Sequence, residues 1–201
     1  MSRISWGKPR LFVKDTDTTG STWQELYTPV EDSTQLTVTK GDKMEARIEG
    51  GEAEDVKYKR STYSVSFNIR KGKIPNTNPV QNRKLPFHSI DGYVEKHFAL
   101  MLQPEDPTCE GFYIGDATVS VDDTYTAADG GMWQVTMDAL RADKGDTVKW
   151  GVISLSGQAN ARKISFEEGS SYDYGTTGED TAKKTITNES VTEVDSTAVN
   201  S

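Results

Sequence analysis

The chain has 201 residues, enough for one domain of ordinary size, and only 34% of them are hydrophobic. Acids outnumber bases, 31 to 23, leaving a net charge of −8, which excludes general binding of nucleic acid through its phosphates. One cysteine, Cys109, excludes an intrachain disulfide and a Cys-based zinc site, and its acidic neighbours Glu105, Asp106 and Glu110 disfavour a thiolate nucleophile.

The low apolar share means that part of the chain lies outside the core, or that a thin fold finishes its burial against neighbours. The opening MSRISWGKPR lacks the apolar segment of a signal peptide, and no apolar run approaches a membrane span. Synthesis and assembly in the cytosol, with no membrane partner, is the expectation.

In chain order, Arg10 to Lys14 reads as a strand and Asp15 to Gly20 as turn. Trp23, Leu26 and Tyr27 lie at three- and four-residue spacing, which suggests a short helix or an aromatic-anchored segment before Pro29. Three alternating runs follow: Thr34–Leu36–Val38, Met44–Ala46–Ile48 and Tyr63–Val65–Phe67–Ile69. Period two marks strands with one buried face, and Lys40-Gly41-Asp42 and Glu49-Gly50-Gly51-Glu52 separate them. Three antiparallel strands joined by Gly-centred turns are expected, with a charged, extended connection between Glu49 and Arg60. From Lys73 to His88 the pattern gives way to a long Pro/Asn loop.

His97 to Gln103 is apolar on both faces, as expected of an internal strand, with a helix over Val94 to Leu102 as the competing reading. Beyond Pro104, the residues Phe112, Tyr113 and Ile114 form a compact apolar patch. Ala117–Val119–Val121, Trp133–Val135–Met137 and Val148–Trp150–Val152 then form a meander, with Trp133 and Trp150 in the core register. A final weak strand runs from Ala161 to Phe166. From Gly169 onward the chain is rich in Ser, Thr and acids; six acids against two lysines leave −4, half the total charge. Such a segment reads as a solvated tail, or as an arm around Thr185–Thr187 and Val191–Val194 that orders on a neighbour.

Little points to catalysis. His88 and His97 match no metal motif, and phosphate-loop, dinucleotide and nucleophile-elbow signatures are absent. The pairs Glu54-Asp55, Asp122-Asp123 and Glu167-Glu168 could act as carboxylate pairs, but equally sit at solvated turn ends or hold Ca²⁺ weakly. The expectation is a non-enzyme with no catalytic residue, no metal and no cofactor. Two rivals stay open: a carbohydrate- or protein-binding β-sandwich module, with Trp6, Trp23 and Tyr172 forming an exposed aromatic face, and a hydrolase with a close carboxylate pair in a cleft.

The run Trp23…Leu26…Pro29-Val30-Glu31-Asp32-Ser33-Thr34-Gln35-Leu36 resembles the tail tube (major tail) proteins of long-tailed bacteriophages and related prophages. Lys40-Gly41-Asp42-Lys43, Ile48-Glu49-Gly50-Gly51-Glu52, Asp55-Val56-Lys57-Tyr58, Leu102-Gln103-Pro104-Glu105-Asp106-Pro107 and the Val119–Tyr125 stretch extend the likeness, which covers roughly Trp23 to Trp150. The resemblance implies a mainly β fold, an antiparallel β-sandwich or barrel with one or two short helices and long assembly loops. It also implies hexameric rings stacking into a hollow tube through which DNA passes.

The partners would then be other copies of the chain and other tail proteins, and the location the virion tail. An acidic lumen would let DNA pass without specific binding, so acids rather than bases are expected to face it. The expected organisation is a sandwich domain over 1–168 and an extension or arm over 169–201. Candidate inter-subunit contacts are Glu49, Gly50, Gly51, Glu52, Glu54, Asp55, Lys57, Tyr58 and Arg60 in the first connection, and Lys73, Arg83 and Lys84 in the second.

Overall fold

A computed structural model describes residues 7–47, 49, 53–72, 82–143, 145–158, 161–169 and 183–192. The mainly β expectation holds, and the described residues contain no helix. Strands β1 (Arg10–Asp15), β2 (Trp23–Glu25), β9 (Phe98–Gln103), β10 (Gly111–Thr126), β12 (Val148–Ser156), β13 (Lys163–Glu168) and β14 (Lys183–Thr192) pair in a closed circuit. Its order is β1–β9–β10–β12–β13–β14–β2 and back to β1. All seven contribute to one apolar cluster: Phe12, Trp23, Ala99, Met101, Ile153, Ile164, Phe166 and Ile186, with Tyr113, Leu155 and Val191 packed against it. A cluster fed by every strand of a closed circuit is the interior of that circuit.

The circuit closes at a pair of glycines. Gly111 of β10 faces Gly151 of β12. A Cβ on Gly111 would collide with the Leu102 carbonyl oxygen, and one on Gly151 with that of Glu167. Both obstacles are backbone and cannot swing aside, so the backbones can approach this closely only without side chains.

Strand β10 is 16 residues long and belongs to two layers. Its register against β9 shifts between Ile114 and Ala117, and past that irregularity it pairs with β11 (Gly130–Ala139). β11 pairs with β6 (Thr62–Arg70), and β6 with β3 (Gln35–Thr39). This wing carries Val65, Phe67, Ile69, Val119, Val121, Val135 and Met137 into a second cluster with Leu11, Val13, Leu100, Phe112 and Ile114. Strands β1 and β9 therefore divide the two cores, with Phe12, Ala99 and Met101 on one side and Leu11, Val13 and Leu100 on the other. That is why β9 is apolar on both faces, and it settles Val94 to Leu102 against a helix. The short pair β7 (Ser89–Ile90) and β8 (Tyr93–Val94) turns at Asp91-Gly92, both at positive φ, and joins β10 at Ser120.

Several expectations are corrected. Trp23 is the start of β2 and not of a helix; its indole fills the circuit while Leu26 and Tyr27 cross to the other core. Phe112 and Ile114 form no single patch with Tyr113, because alternation along β10 sends them to opposite cores. Trp133 is half-buried, but Trp150 is 51% exposed, because the opposite face of β12, with Ile153 and Leu155, fills the circuit. Lys183–Thr192 is no solvated tail: it pairs with β13 and, in parallel, with β2, so the division at 168/169 does not separate it from the sheet.

The largest correction concerns the three-strand meander. Strand β4 (Lys43–Arg47) pairs with β5 (Ala53–Tyr58), which lies inside the expected charged connection, and the two form a separate two-stranded sheet. The meander failed because Lys40-Gly41-Asp42 does not reverse the chain. Strands β3 and β4 run on in one line, as do β5 and β6.

Candidate assembly surface

The register shows what β4 and β5 are. Gln35 faces Ser66, Thr39 faces Thr62, Lys43 faces Tyr58 and Ala46 faces Asp55. Each step forward on one strand is a step back on the other, without slip across the interval at 40–42 and 59–61. Within that interval the Lys59 N–H donates to the Asp42 carbonyl at 2.9 Å. The two sheets are thus one long hairpin whose base is built into the wing and whose outer half leaves it as an arm.

The arm has no core. Met44, Val56 and Tyr58 are exposed, Tyr58 at 67%, and Val38 at the arm's root is exposed as well. Its charges form a ladder: Glu45 pairs with Lys43 and with Arg47 Nη2 (2.8 Å), Asp55 with Lys57 (3.3 Å) and Asp42 with Lys59 (3.0 Å). Hydrogen bonds from Lys43 and Arg47 hold the Glu45 carboxyl below the ordinary glutamate range. Exposed pairs of this kind are worth little individually, so they keep the ribbon extended and soluble without anchoring it.

The candidate contacts divide by position. Glu49 is an exposed turn residue next to β4; Asp55, Lys57 and Tyr58 are exposed on β5, and Arg60 is exposed at the root. Glu54 also lies on β5. Gly50, Gly51, Glu52 and Lys73 lie outside the described residues. Arg83 belongs to the body: its guanidinium lies 5.0 Å from the centre of the Tyr27 ring and its Nη1 donates to the Arg70 carbonyl at 3.3 Å. With Lys84, His88, Asp91 and Trp133 it lines a cleft of about 650 Å³ between the 83–92 segment and the wing. The structure places Glu54, Asp55, Lys57 and Tyr58 together on β5, with Arg60 at its root, and leaves Arg83 and Lys84 elsewhere.

The expected aromatic face does not form as drawn. Trp23 is 1% exposed, with its Nε1 donating to Glu189 Oε2 at 2.7 Å, and Trp6 and Tyr172 lie outside the described residues. Of the acidic pairs, Asp123 is engaged by Lys71 at 2.9 Å and Glu168 by Lys149 at 3.7 Å. Consecutive residues of a strand point to opposite faces, so neither pair converges on one substrate. Among the described residues, no three His, Cys, Asp or Glu side chains gather as metal ligands would. No protein-family model and no curated protein matches the chain.

The wing has a second surface, missed in the sequence because it is defined by absences of charge. Opposite its buried face, two rows run across four strands, Thr118–Asp138–Ser64–Thr37 and Ser120–Thr136–Ser66–Gln35, and a third, Asp122–Gln134–Asn68, across three. The row Thr124–Met132–Arg70 ends the face. These rows contain no lysine. Their one arginine, Arg70, donates to the Asp129 carbonyl at 3.2 Å and lies 3.4 Å from its carboxylate.

Proposed function

We propose that this chain is a structural subunit that assembles with copies of itself into stacked, hexameric rings, forming the hollow tail tube of a long-tailed phage or a related prophage. The observation that carries the reading is the arm. A two-stranded ribbon is marginal in water on its own, and this one presents Met44, Val56 and Tyr58 to solvent with none of the described residues over them. A neighbouring subunit or another tail protein is the natural cover, with Glu49 to Arg60 as the joint. The likeness over Trp23 to Trp150 supplies the kind of assembly.

The hydroxyl- and amide-rich face of the wing supports the conduit half of this reading. A surface with two acids, Asp122 and Asp138, and one neutralised arginine gives phosphates no cation from which to release counterions, so DNA would slide past it. The proposed lumen is therefore this face. Such a subunit works in the virion tail and is made in the host cytoplasm.

The test follows from the register. Replacing residues 43–58 with Asn-Gly joins Asp42 to Lys59, which already face each other, and closes the base as an ordinary hairpin. The expected product is a folded, soluble subunit that no longer forms rings or tubes in sedimentation and negative-stain microscopy, where the intact chain does. Tubes from the shortened chain would refute the arm as the joint. An intact chain that stays monomeric at every concentration would refute the tube.

A further inference from the structure

We infer that β14 is an exchangeable strand, which in the assembled state closes the circuit of a neighbouring copy instead of its own. The inference rests on the self-assembly proposed above. It starts from a mismatch between distance and chain length. Lys183 of β14 sits directly opposite Glu168 of β13, as across a hairpin. Two residues suffice to join such strands, yet fourteen (169–182) intervene. That connection spans up to about 50 Å when extended and roughly 20 Å as a flexible coil.

The seam itself is irregular. On one side, among the described residues, β14 meets β2 through two register pairs, Val191 with Trp23 and Thr192 with Gln24. On the other, its ladder with β13 breaks register twice. The strand buries Ile186 and part of Val191, and its remaining described contacts are polar. Lys163 Nζ donates to Ser190 Oγ at 2.8 Å, Ser165 Oγ to Asn188 Oδ1 at 3.1 Å, and Thr185 Oγ1 to Glu168 Oε2 at 3.3 Å.

The site that β14 fills is far more apolar than the strand is. Withdrawing β14 would open the circuit beside Trp23, Ile164 and Phe166, so an empty site is not an option. What fills it must also present a carboxylate where Glu189 accepts from Lys14 Nζ at 2.6 Å and from Trp23 Nε1 at 2.7 Å. The β14 of a second copy meets every one of these requirements, because exchange recreates identical contacts. A connection this much longer than a hairpin needs has the length to reach either its own circuit or a neighbour's. Exchange therefore waits for neighbours held within linker reach, as in a ring, where effective concentration replaces bulk concentration.

Cysteines at the register pair Lys163–Ser190 read the exchange out. Two proteins, Lys163→Cys and Ser190→Cys, each also carrying Cys109→Ser, are mixed in equal amounts, concentrated and oxidised. Neither can form an intrachain disulfide, and paired antiparallel positions lie within disulfide reach. Exchange predicts that roughly half of the possible 163–190 links form between copies, the share set by random pairing in an equal mixture. Replacing the Ser190→Cys partner with Thr39→Cys should abolish the link. Multimers by sedimentation with no covalent dimer overturn exchange and leave the tube reading standing. Monomers throughout, with no dimer, overturn both, whereas a covalent dimer without larger species supports exchange alone. Deleting residues 171–180 leaves a hairpin-length connection; it should preserve the fold and remove the link, and a link that persists overturns the role of the connection.

Discussion

Phe166→Ala tests the closed circuit directly. Phe166 is 0% exposed, packs within 5.4 Å of the Tyr113 ring centre and shares its cluster with side chains from six other strands. An aromatic side chain that buries roughly 150–250 Å² is worth about 4–6 kcal/mol at ~25 cal/mol per Å². Alanine recovers part of that, and the void left behind adds a penalty, so the expected loss is about 3–5 kcal/mol. Set against a total stability of roughly 5–15 kcal/mol, this is a large fraction. At about 2–4 °C per kcal/mol for a chain of this size, Tm should fall by roughly 6–20 °C. Urea unfolding followed by circular dichroism and by tryptophan fluorescence gives the difference, with Val38→Ala, at an exposed position, as the control expected within about 0.5 kcal/mol. A loss below about 1 kcal/mol for Phe166→Ala would mean that the seven strands do not enclose it, and the described architecture would fail.

Two further outcomes are expected. Gly151→Val should destabilise by about 1–3 kcal/mol or more, because its Cβ meets the Glu167 carbonyl at the seam; unchanged urea midpoints would show that the seam is loose. Asp15 supplies a pH dependence. Burial opposes its ionisation, but hydrogen bonds from Lys96 Nζ at 2.6 Å and from the Thr18 hydroxyl and N–H outweigh that, leaving its carboxyl below the ordinary aspartate range. A depressed native pKa stabilises above the unfolded value, about 4, and the contribution disappears as pH falls through the native value. Asp15→Asn should therefore lower Tm at pH 7, by about 1 kcal/mol in stability, and the gap to the parent should narrow below pH 4. A gap that widens on acidification would contradict this sign.

The sequence was legible where a strand carries its own apolar face. β6, β10 and β11 alternate, β9 is apolar on both faces, and their Val65, Phe67, Leu100, Val119, Val135 and Met137 are buried. It was illegible where a strand borrows its stability from partners. β14 has Ile186 and Val191 and little else, so its composition reads as solvated tail, yet the circuit recruits it to cover Phe166. β2 is three residues long and changes cores at its end, which gives Trp23, Leu26 and Tyr27 a helical spacing for a non-helical reason. Gly41 looked like a reverse turn, but it sits against the Lys59 and Arg60 backbone and lets two strand pairs run on in line. Of the assembly surface, the charged stretch was visible and its shape was not, because register is a property of two strands together.

The register that runs without slip from Gln35–Ser66 to Ala46–Asp55 gives the arm the mechanics of a cantilever. A load at the tip passes down β4 and β5, through the interval where Lys59 holds Asp42, and into β6, which is clamped by Val65, Phe67 and Ile69. The interval is short and bridged by that hydrogen bond, so a sideways push becomes torque on the hydrophobic core itself, while a lengthwise pull loads the ladder bonds in parallel. The most compliant point is the interval at 40–42. A stiffer or softer residue there would change how far one subunit's tip moves when its neighbour bends, without altering a single contact at the tip.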